Sequence, residues 1–474
     1  MPLTQSQIVN DLYNKLITRR SEFSDSLSYY EATHCPRIIG LSTPPQLRDL
    51  MISVGWIRMY LDSLEERLDL EGFRMAKQSE SDERLWDWWQ ANNLDVESGL
   101  AHLDSLIYGI SYVTVGAPDP NDPWADKDSP VIRVESPNNM YAEFDPVTRR
   151  IKYALRIYKD DEFPKMDLAT LYLPDQTVYY TRATGVKGWQ IRGNPVVHNL
   201  GRPTVVAIPN RELLSTREGE SEITRELRDI SDAAARTLMN MSVAAELMAV
   251  PQRVIFGVSA SDFAIDPTQP NASWKAYLAN LLALENEAAK IDQFAASELR
   301  NYTDVLDQFA KMVASYTGLP PQYLSFTSEN PASAEAIRSA ESRLIKKSER
   351  KTRIFGAAWE EVMRLCMLVM DGTVPTESFR MESVWRDPAT PTYAAKADAV
   401  AKLYANGMGV IPQQQAWIDL GYSEEQRKQL AVWAEQNPTA QLNQLLLQSE
   451  IQNNQSGGSE DTANTESGSN TAGE

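Results

Sequence analysis

Histidine and cysteine are scarce in this chain of 474 residues, which has three histidines and two cysteines. Cys35 and Cys366 lie far apart and have no metal-ligand spacing, so they indicate a reduced compartment or simple packing. His34, His102 and His198 belong to no HExxH pattern. We therefore expect packed or surface histidines and predict no metal site built on imidazole or thiolate.

The sequence also lacks the motifs of nucleotide and acyl chemistry, since GxxxxGK[ST], GxGxxG and GxSxG are all absent. No apolar run approaches the roughly 20 residues that a membrane span needs. The first residues, MPLTQSQIVNDLY, show neither the basic nor the apolar region of a signal peptide. We therefore expect a protein that is not an enzyme, has no cofactor and is made and assembled in the cytoplasm.

Positive charge is in deficit, because 46 Lys and Arg stand against 65 Asp and Glu, for a net charge of −19. This balance argues against a protein that coats nucleic acid, since phosphate binding depends on concentrated Lys and Arg. A protein that encloses DNA without gripping it remains compatible with the charge. The length and an apolar content of 42% predict a folded chain of two or more domains.

The carboxylate-rich segment from residue 119 to residue 128 is the best candidate for a metal site. It lacks the glycine and the closing glutamate of a calcium loop and contains several prolines. A solvated turn is the favoured interpretation. The alternative is a cation site, in the extreme case that of a metal-dependent nuclease. The four candidate ligands would be Asp119, Asp122, Asp126 and Asp128.

Hydrophobic periodicity predicts an α+β protein that is mainly helical. Apolar residues three and four apart predict helices over residues 4–31, 47–68, 223–248 and 299–316. A further helical pattern starts at Ser79, contains Trp86, Trp88 and Trp89, and resumes at Val96 as far as Tyr108. Between them, a period of two predicts antiparallel strands over residues 112–115, 131–135, 140–144, 151–158, 170–173 and 178–181. Further helices are predicted over residues 393–406, 412–420 and 423–435.

The longest helical pattern follows a proline-bearing loop. Gly318 and the pair Pro320-Pro321 cannot continue the preceding helix. From residue 333 to residue 371 the pattern contains no proline, which predicts a helix on the order of 55 Å long. We expect its charged first half to face solvent or a polar partner, and its apolar second half to be buried.

The first half of this helix carries a group of cations that we call the basic belt: Lys346, Lys347, Arg350 and Lys351. These residues are candidates for presenting positive charge to an anionic partner such as DNA. The alternative interpretation is a mixed-charge helical face that is simply solvated.

The order of these parts resembles the portal proteins of tailed bacteriophages, in the SPP1-type branch that includes many actinobacterial phages. The resemblance covers roughly residues 5–435. The segments that carry it are YLDSLEERL (60–68), EGF (71–73), LIYGISYV (106–113), EFDPVTRR (143–150), GESEI (219–223), PQR (251–253) and SENPASAEAI (328–337).

The resemblance implies a portal fold assembled as a ring around a central channel. The implied parts in chain order are a wing (1–221), a first stem helix (222–248), a clip (249–297), a second stem helix (298–318), a tunnel loop (319–332), a long wing and tunnel helix (333–371), a return strand of the wing (372–391), a crown (392–448) and a disordered acidic tail (449–474).

The function implied by the resemblance is a channel at one capsid vertex through which double-stranded DNA is packaged and ejected. The implied partners are further copies of the chain in a dodecamer, the terminase large subunit, a head-completion adaptor, and the major capsid and scaffold proteins, without a membrane. The implied location is the virion, after assembly in the host cytoplasm.

The residues expected to line the narrowest passage lie in the tunnel loop: Gln322, Tyr323, Ser325, Thr327, Ser328 and Asn330. An ordinary helix–helix connection is the alternative interpretation of this loop, although 14 residues are more than most such connections have. Another structural head protein, such as a minor capsid or scaffold protein, is the alternative to the portal function.

Overall fold

The computed structural model describes residues 4–34, 52–76, 81–186, 188–248, 253–256, 290–293, 299–324, 334–389, 393–405, 409–422 and 424–435. Its contacts divide the chain into two compact units, Met1–Pro388 and Ala389–Glu474. Most of the predicted clip, the acidic tail, and Ser325, Thr327, Ser328 and Asn330 of the tunnel loop lie outside the described residues.

The first unit begins with a helical layer whose helix ends are fixed by local polar groups. Its helices are α1 (Gln5–Tyr30), α2 (Trp56–Glu65), α3 (Glu83–Ala91) and α4 (Leu94–Tyr108). Thr4 closes a capping box with Gln7 at the start of α1. The interrupted pattern between Ser79 and Tyr108 corresponds to two helices, α3 and α4, and Asn93 takes a left-handed conformation (φ 52°) between them.

The predicted antiparallel β region is present and larger than predicted. Its strands are β2 (Ile110–Gly116), β3 (Val131–Glu135), β4 (Met140–Phe144), β5 (Ile151–Tyr158), β6 (Met166–Tyr172), β7 (Gln176–Ala183), β8 (Gln190–Ile191), β9 (Val196–Val197) and β10 (Val205–Pro209). One sheet has the order β10-β2-β3, and a six-stranded sheet runs from β4 to β8 in sequence order, with β9 beside β7. The apolar stripe of α1 packs on the larger sheet.

Two packed helices follow the sheets. They are α5 (Arg225–Met248) and α6 (Arg300–Thr317), and between them in sequence β11 (Arg253–Phe256) pairs with β12 (Lys290–Gln293). After α6 come a short helix, α7 (Pro321–Leu324), and the 38-residue helix α8 (Ala334–Asp371). The predicted long helix is thus confirmed within one residue at its start.

The second half of α8 runs through the largest apolar core, as its composition predicts. Phe355, Trp359, Val362 and Cys366 are fully buried there, together with side chains of α2, α3 and α4. A 3₁₀ turn (Thr376–Arg380) leads to β13 (Glu382–Trp385), which pairs with β1 (Leu70–Arg74). This small sheet joins the end of the first unit to its helical layer.

The second unit contains α9 (Tyr393–Tyr404), α10 (Gln413–Leu420) and α11 (Glu424–Glu435). These helices confirm the three that periodicity predicts, and α9 packs on α10. Within the described part of the chain, no helix has the length and apolar character needed to cross a membrane.

Candidate functional site

The root of the predicted tunnel loop is clamped to α8. Gly318 ends α6 in a left-handed conformation (φ 82°), and its N–H donates to the carbonyl of Ala314. The Arg343 side chain of α8 reaches back over this turn, and its Nη1 donates to the carbonyl of Ser315 at 2.7 Å. A Cβ at position 318 would stand 3.0 Å from Cγ of Arg343. The chain therefore enters the loop from a fixed position.

Two of the predicted channel-lining residues, Gln322 and Tyr323, lie on the short helix α7 at this root. Leu324 beside them is buried, whereas Gln322 and Tyr323 are exposed. The hydroxyl of Tyr323 donates to Oε1 of Glu341 in α8 at 2.7 Å. Burial and this hydrogen bond raise the pKa of Tyr323. Tyr323 thus ties the start of the loop to the helix that follows it.

A buried charge cluster joins α8 to the start of α5. Lys351 is fully buried, and its Nζ donates to Oδ1 of Asn210 at 2.6 Å, to Glu212 at 3.2 Å and to Oε1 of Glu222. Nζ of Lys347 lies 3.0 Å from Oε2 of Glu222. Two ammonium groups therefore share one buried carboxylate.

Tyr60 of α2 completes this cluster. Its hydroxyl donates to Oε2 of Glu222 at 2.8 Å and accepts from Nζ of Lys347. Burial alone would raise the pKa of Glu222, but the ammonium groups of Lys351 and Lys347 hold it well below its usual range. Burial and the nearby Glu222 carboxylate raise the pKa of Tyr60 well above its usual range.

The cluster depends on a tight approach of the segment before α5. Gly219 has φ of 87°, and a Cβ there would collide with the carbonyl oxygen of Gly109. Nδ2 of Asn210 donates to the carbonyl of Glu220 at 2.8 Å and to Oε1 of Glu222 at 3.0 Å. The GESEI segment thus places Glu222 under α8, where its charge is neutralised. The cluster links α2, α8 and the segment before α5, and it contains no free nucleophile or base.

These contacts correct the interpretation of the basic belt. Lys351 cannot present its charge to a partner, because it is fully buried and paired with Glu222. Arg350 is exposed, and its Nη2 donates to the carbonyl of Glu212 at 3.1 Å. The side chain of Lys346 is 76% exposed and pairs with Glu349 on the same helix. Lys346 and Arg350 thus remain candidates for contact with an anionic partner.

A signal for the position of Lys351 is present in the sequence. Lys351 follows the buried Leu344 by seven residues and precedes the buried Phe355 by four, so it falls on the apolar stripe of α8. A lysine on a buried stripe requires an acidic partner. That partner, Glu222, lies 129 residues earlier in the chain and has no local signal.

The aspartate segment between β2 and β3 forms a series of turns. The carboxylates of Asp119, Asp122 and Asp126 each accept the backbone N–H two residues ahead, at 2.9 to 3.0 Å. Among the residues that the structure describes, no group of three or more His, Cys, Asp or Glu side chains is placed to hold a metal ion. The nuclease alternative gains no support from this geometry.

His102 is packed within the core of the first unit. Its Nε2 accepts from Nε1 of Trp359 at 2.8 Å, and its ring stacks on Phe355. Burial lowers the pKa of His102 to about 3. The neutral ring is therefore part of the core packing.

The chain has extensive similarity to known proteins. A family model described as "Phage portal protein, SPP1 Gp6-like" matches residues 10–442. The portal protein of Mycobacterium phage L5 is 51% identical over 417 residues, which cover 88% of this chain and 85% of the relative. The portal protein of Mycobacterium phage D29 is 53% identical over 411 residues, which cover 86% of this chain and 84% of the relative.

Among solved structures, a chain from the virion of a native gene transfer agent particle aligns with a TM-score of 0.40 and 14% sequence identity. The alignment covers 85% of this chain and 99% of that chain.

Proposed function

The chain belongs to the SPP1 Gp6-like family of phage portal proteins, and we propose that it forms a ring at one capsid vertex. Proteins of this family are structural components of the virion rather than enzymes. Double-stranded DNA would enter and leave the capsid through the axis of this ring. The single observation that carries the ring is the second apolar face of α6.

The helix α6 has apolar residues on two faces but buries only one of them against the residues that the structure describes. Leu306, Ala310 and Val313 are buried in the same core as residues of α5. Val305, Met312 and Tyr316 are exposed, at spacings of seven and four residues. These three residues, which we call the α6 stripe, need a partner outside the described chain. In a closed ring, the neighbouring copy supplies that partner.

The tunnel loop is the part of the proposed ring that would meet DNA. Its root is fixed by Leu324 and by the hydrogen bond between Tyr323 and Glu341, so the segment beyond Leu324 starts from a rigid base. A chain of net charge −19 offers few sites for tight phosphate binding, which lets DNA pass instead of adhering.

The proposed partners follow from this role. The terminase large subunit, and later the head-completion adaptor, would dock on residues 249–297, while the major capsid and scaffold proteins would surround the ring. We further propose a dodecamer that is assembled in the host cytoplasm without a membrane.

The first experiment measures the mass and shape of the purified protein by light scattering on a sizing column and by negative-stain imaging. We expect rings with a central hole and a mass of about a dozen chains of 53.3 kDa. A chain that stays monomeric at every concentration tested would contradict the proposal.

A second experiment tests the loop by deletion of Ser325–Glu329, which keeps Tyr323 and its hydrogen bond to Glu341. We expect rings of unchanged mass and phage particles that fail to package or retain DNA. The matched control is Tyr323→Phe, which removes the hydrogen bond and leaves the loop at full length. Normal packaging and retention by the deletion variant would refute the role of the loop.

A further inference from the structure

An arginine-lined groove of about 1180 Å³ lies along β10 in the first unit. Its walls are the turn between β4 and β5, the segment that follows β10, and one face of α8. Eight arginines and four carboxylates line it, so the groove is positive although the chain is strongly acidic. The arginines are Arg149, Arg150, Arg202, Arg211, Arg217, Arg350, Arg353 and Arg364.

The four carboxylates of the groove are already engaged. Glu361 pairs with Arg202 and Arg364, and Glu218 pairs with Arg19. Glu212 binds Lys351, and the Asp145 carboxylate accepts hydrogen bonds inside its own turn. Five exposed arginine side chains in the groove make no hydrogen bond or ion pair with any described residue: Arg149, Arg150, Arg211, Arg217 and Arg353. The groove therefore holds a surplus of free guanidinium groups.

The rim of the groove is apolar. Leu214 is 89% exposed, and Leu213 beside it is exposed as well. A bare phosphate backbone would use the guanidinium groups but leave these apolar side chains in water. An acidic peptide segment with a large apolar side chain satisfies both.

The loop between β2 and β3 has the complementary chemistry. We call residues 117–130 the Trp124 loop, because Trp124 at its tip is 94% exposed. The loop carries four aspartates against one lysine. Exposed tryptophan is costly in water and is enriched among the residues that dominate protein interfaces.

The Trp124 loop is held in a fixed shape. Oδ1 of Asp122 accepts from the backbone N–H of Trp124 at 2.9 Å, which fixes the tip. At the base, Nε1 of Trp88 donates to the carbonyl of Asp128 at 2.9 Å, and Ser129 is buried. A preformed loop loses little conformational entropy when it binds.

We propose that the Trp124 loop of one copy of this chain inserts into the arginine groove of the neighbouring copy. This inference rests on the ring proposed above and names the surfaces that close it. The groove follows β10 and the loop leads into β3, and these are the two edge strands of one sheet. Contact between two different surfaces repeats head to tail, and such repetition closes a ring when the rotation between successive copies closes. The aspartates bind the free arginines, and the indole stacks on a guanidinium group.

Charge reversal tests this contact, because every copy in a homo-oligomer carries both surfaces. One variant reverses the groove with Arg211→Glu and Arg217→Glu, and a second reverses the loop with Asp126→Lys and Asp128→Lys. We expect each pair to lower the fraction of chain in rings at least tenfold at a concentration where the wild-type chain is mostly ring. The four changes combined should restore rings, since the attraction is then rebuilt with opposite signs.

The matched control reverses two exposed carboxylates in another turn, with Asp161→Lys and Glu162→Lys. We expect wild-type rings from this variant. Circular dichroism and thermal unfolding of the reversed variants distinguish lost assembly from lost folding. For a variant that fails to fold, a cross-linking experiment provides the second measurement.

Cross-linking uses Trp124→Cys together with Leu214→Cys under mild oxidation. We expect a ladder of disulfide-linked species at multiples of 53.3 kDa on a non-reducing gel. The controls are each single variant and the pair Val96→Cys with Leu214→Cys. In this pair, the cysteine at position 96 lies on the exposed face of α4. These should give no ladder beyond the wild-type background.

The outcomes separate this inference from the ring itself. If both reversed variants form rings of the same mass as the wild-type chain, and the cysteine pair gives no cross-linked ladder, the inference is wrong and the ring proposal still stands. A wild-type chain that never forms rings would overturn both. If groove reversal leaves rings intact and instead abolishes binding of a short DNA duplex, the groove binds DNA and the inference is wrong. If loop reversal has no effect and removal of residues 449–474 abolishes rings, the groove binds the acidic tail and the inference is again wrong.

Discussion

Lys351 and Glu222 illustrate, at the scale of single residues, how this chain holds charge inside its core. Removing one partner of a buried pair leaves the other charge uncompensated, which typically costs about 3–5 kcal/mol. We expect Lys351→Met to lower the free energy of unfolding by about 3 kcal/mol, since Lys347 still contacts Glu222. Urea denaturation followed by tryptophan fluorescence measures the change.

Two further variants show whether the uncompensated carboxylate is the cause. Lys346→Met removes an exposed cation and should change stability by less than about 1 kcal/mol. Lys351→Met combined with Glu222→Gln should recover part of the loss, because the buried carboxylate is then gone and only the half-buried Lys347 lacks its partner. If the double variant is as unstable as the sum of its single variants, the buried charge is not the reason.

The same cluster has a definite pH dependence. The folded chain holds the pKa of Glu222 below its value in the unfolded chain, which is about 4. The unfolded state therefore binds the proton first, so the contribution of Glu222 is complete above about pH 4 and declines as the pH falls below it. The difference in free energy of unfolding between the wild-type chain and Glu222→Gln should therefore be constant above about pH 4 and should shrink as the pH falls below it.

At the scale of elements, the long helix α8 shows what the sequence predicts and what it leaves open. Its two ends are marked locally, by the prolines before it and by Gly372 after it, so its bounds follow from the pattern. The pattern does not predict which charged residues of its first half are buried, because Lys351 is paired with a carboxylate that lies far away in the chain. The resemblance to portal proteins named the segment GESEI, but only the structure shows that its Glu222 is the partner of Lys351.

Pairing between strands that are far apart in sequence is not predicted by local sequence patterns either. The segment of β13 looks like a strand in the sequence, but β1 is short and has no clear alternation. The two strands meet in the fold, where β1 packs on α3, β13 packs on α8, and Trp89 of α3 contacts Trp359 of α8. For the same reason, the arginine groove was not predicted: its three walls are separated in sequence and meet only in the fold.

The α6 stripe permits a prediction about assembly at the scale of one helix. Met312→Gln together with Tyr316→Gln should leave the chain folded, because both side chains are exposed in the described structure. The same variant should fail to form rings, since the stripe would no longer offer an apolar face to the next copy. Light scattering measures the mass, and thermal unfolding checks the fold.

The control for this prediction lies on the same helix. Asp304→Gln with Lys311→Gln changes two exposed polar residues of α6 and should assemble as the wild-type chain does. Rings of unchanged mass from the Met312 and Tyr316 variant would show that the stripe does not lie between copies.

At the scale of the whole molecule, the surfaces proposed for assembly all belong to the unit Met1–Pro388. The α6 stripe, the Trp124 loop and the arginine groove lie within it, and so do three apolar clusters of described buried residues: the core around α8, the contact of α1 with the larger sheet, and a smaller cluster around Tyr112. The second unit has its own small set of packed helices. Stability and ring formation should therefore depend on the first unit.

A chain that ends at Pro388 tests this dependence. We expect it to form rings and to unfold within about 4 °C of the full chain, because no member of the three clusters is lost. A chain that ends at Asp371 is the matched comparison, since it also loses β13. That loss removes the partner of β1, the hydrogen bonds from Ser383 to Glu360 and the Trp385 ring beside His102. The shorter chain should unfold at a clearly lower temperature, and an equal loss in both truncated chains would mean that the second unit stabilises the first.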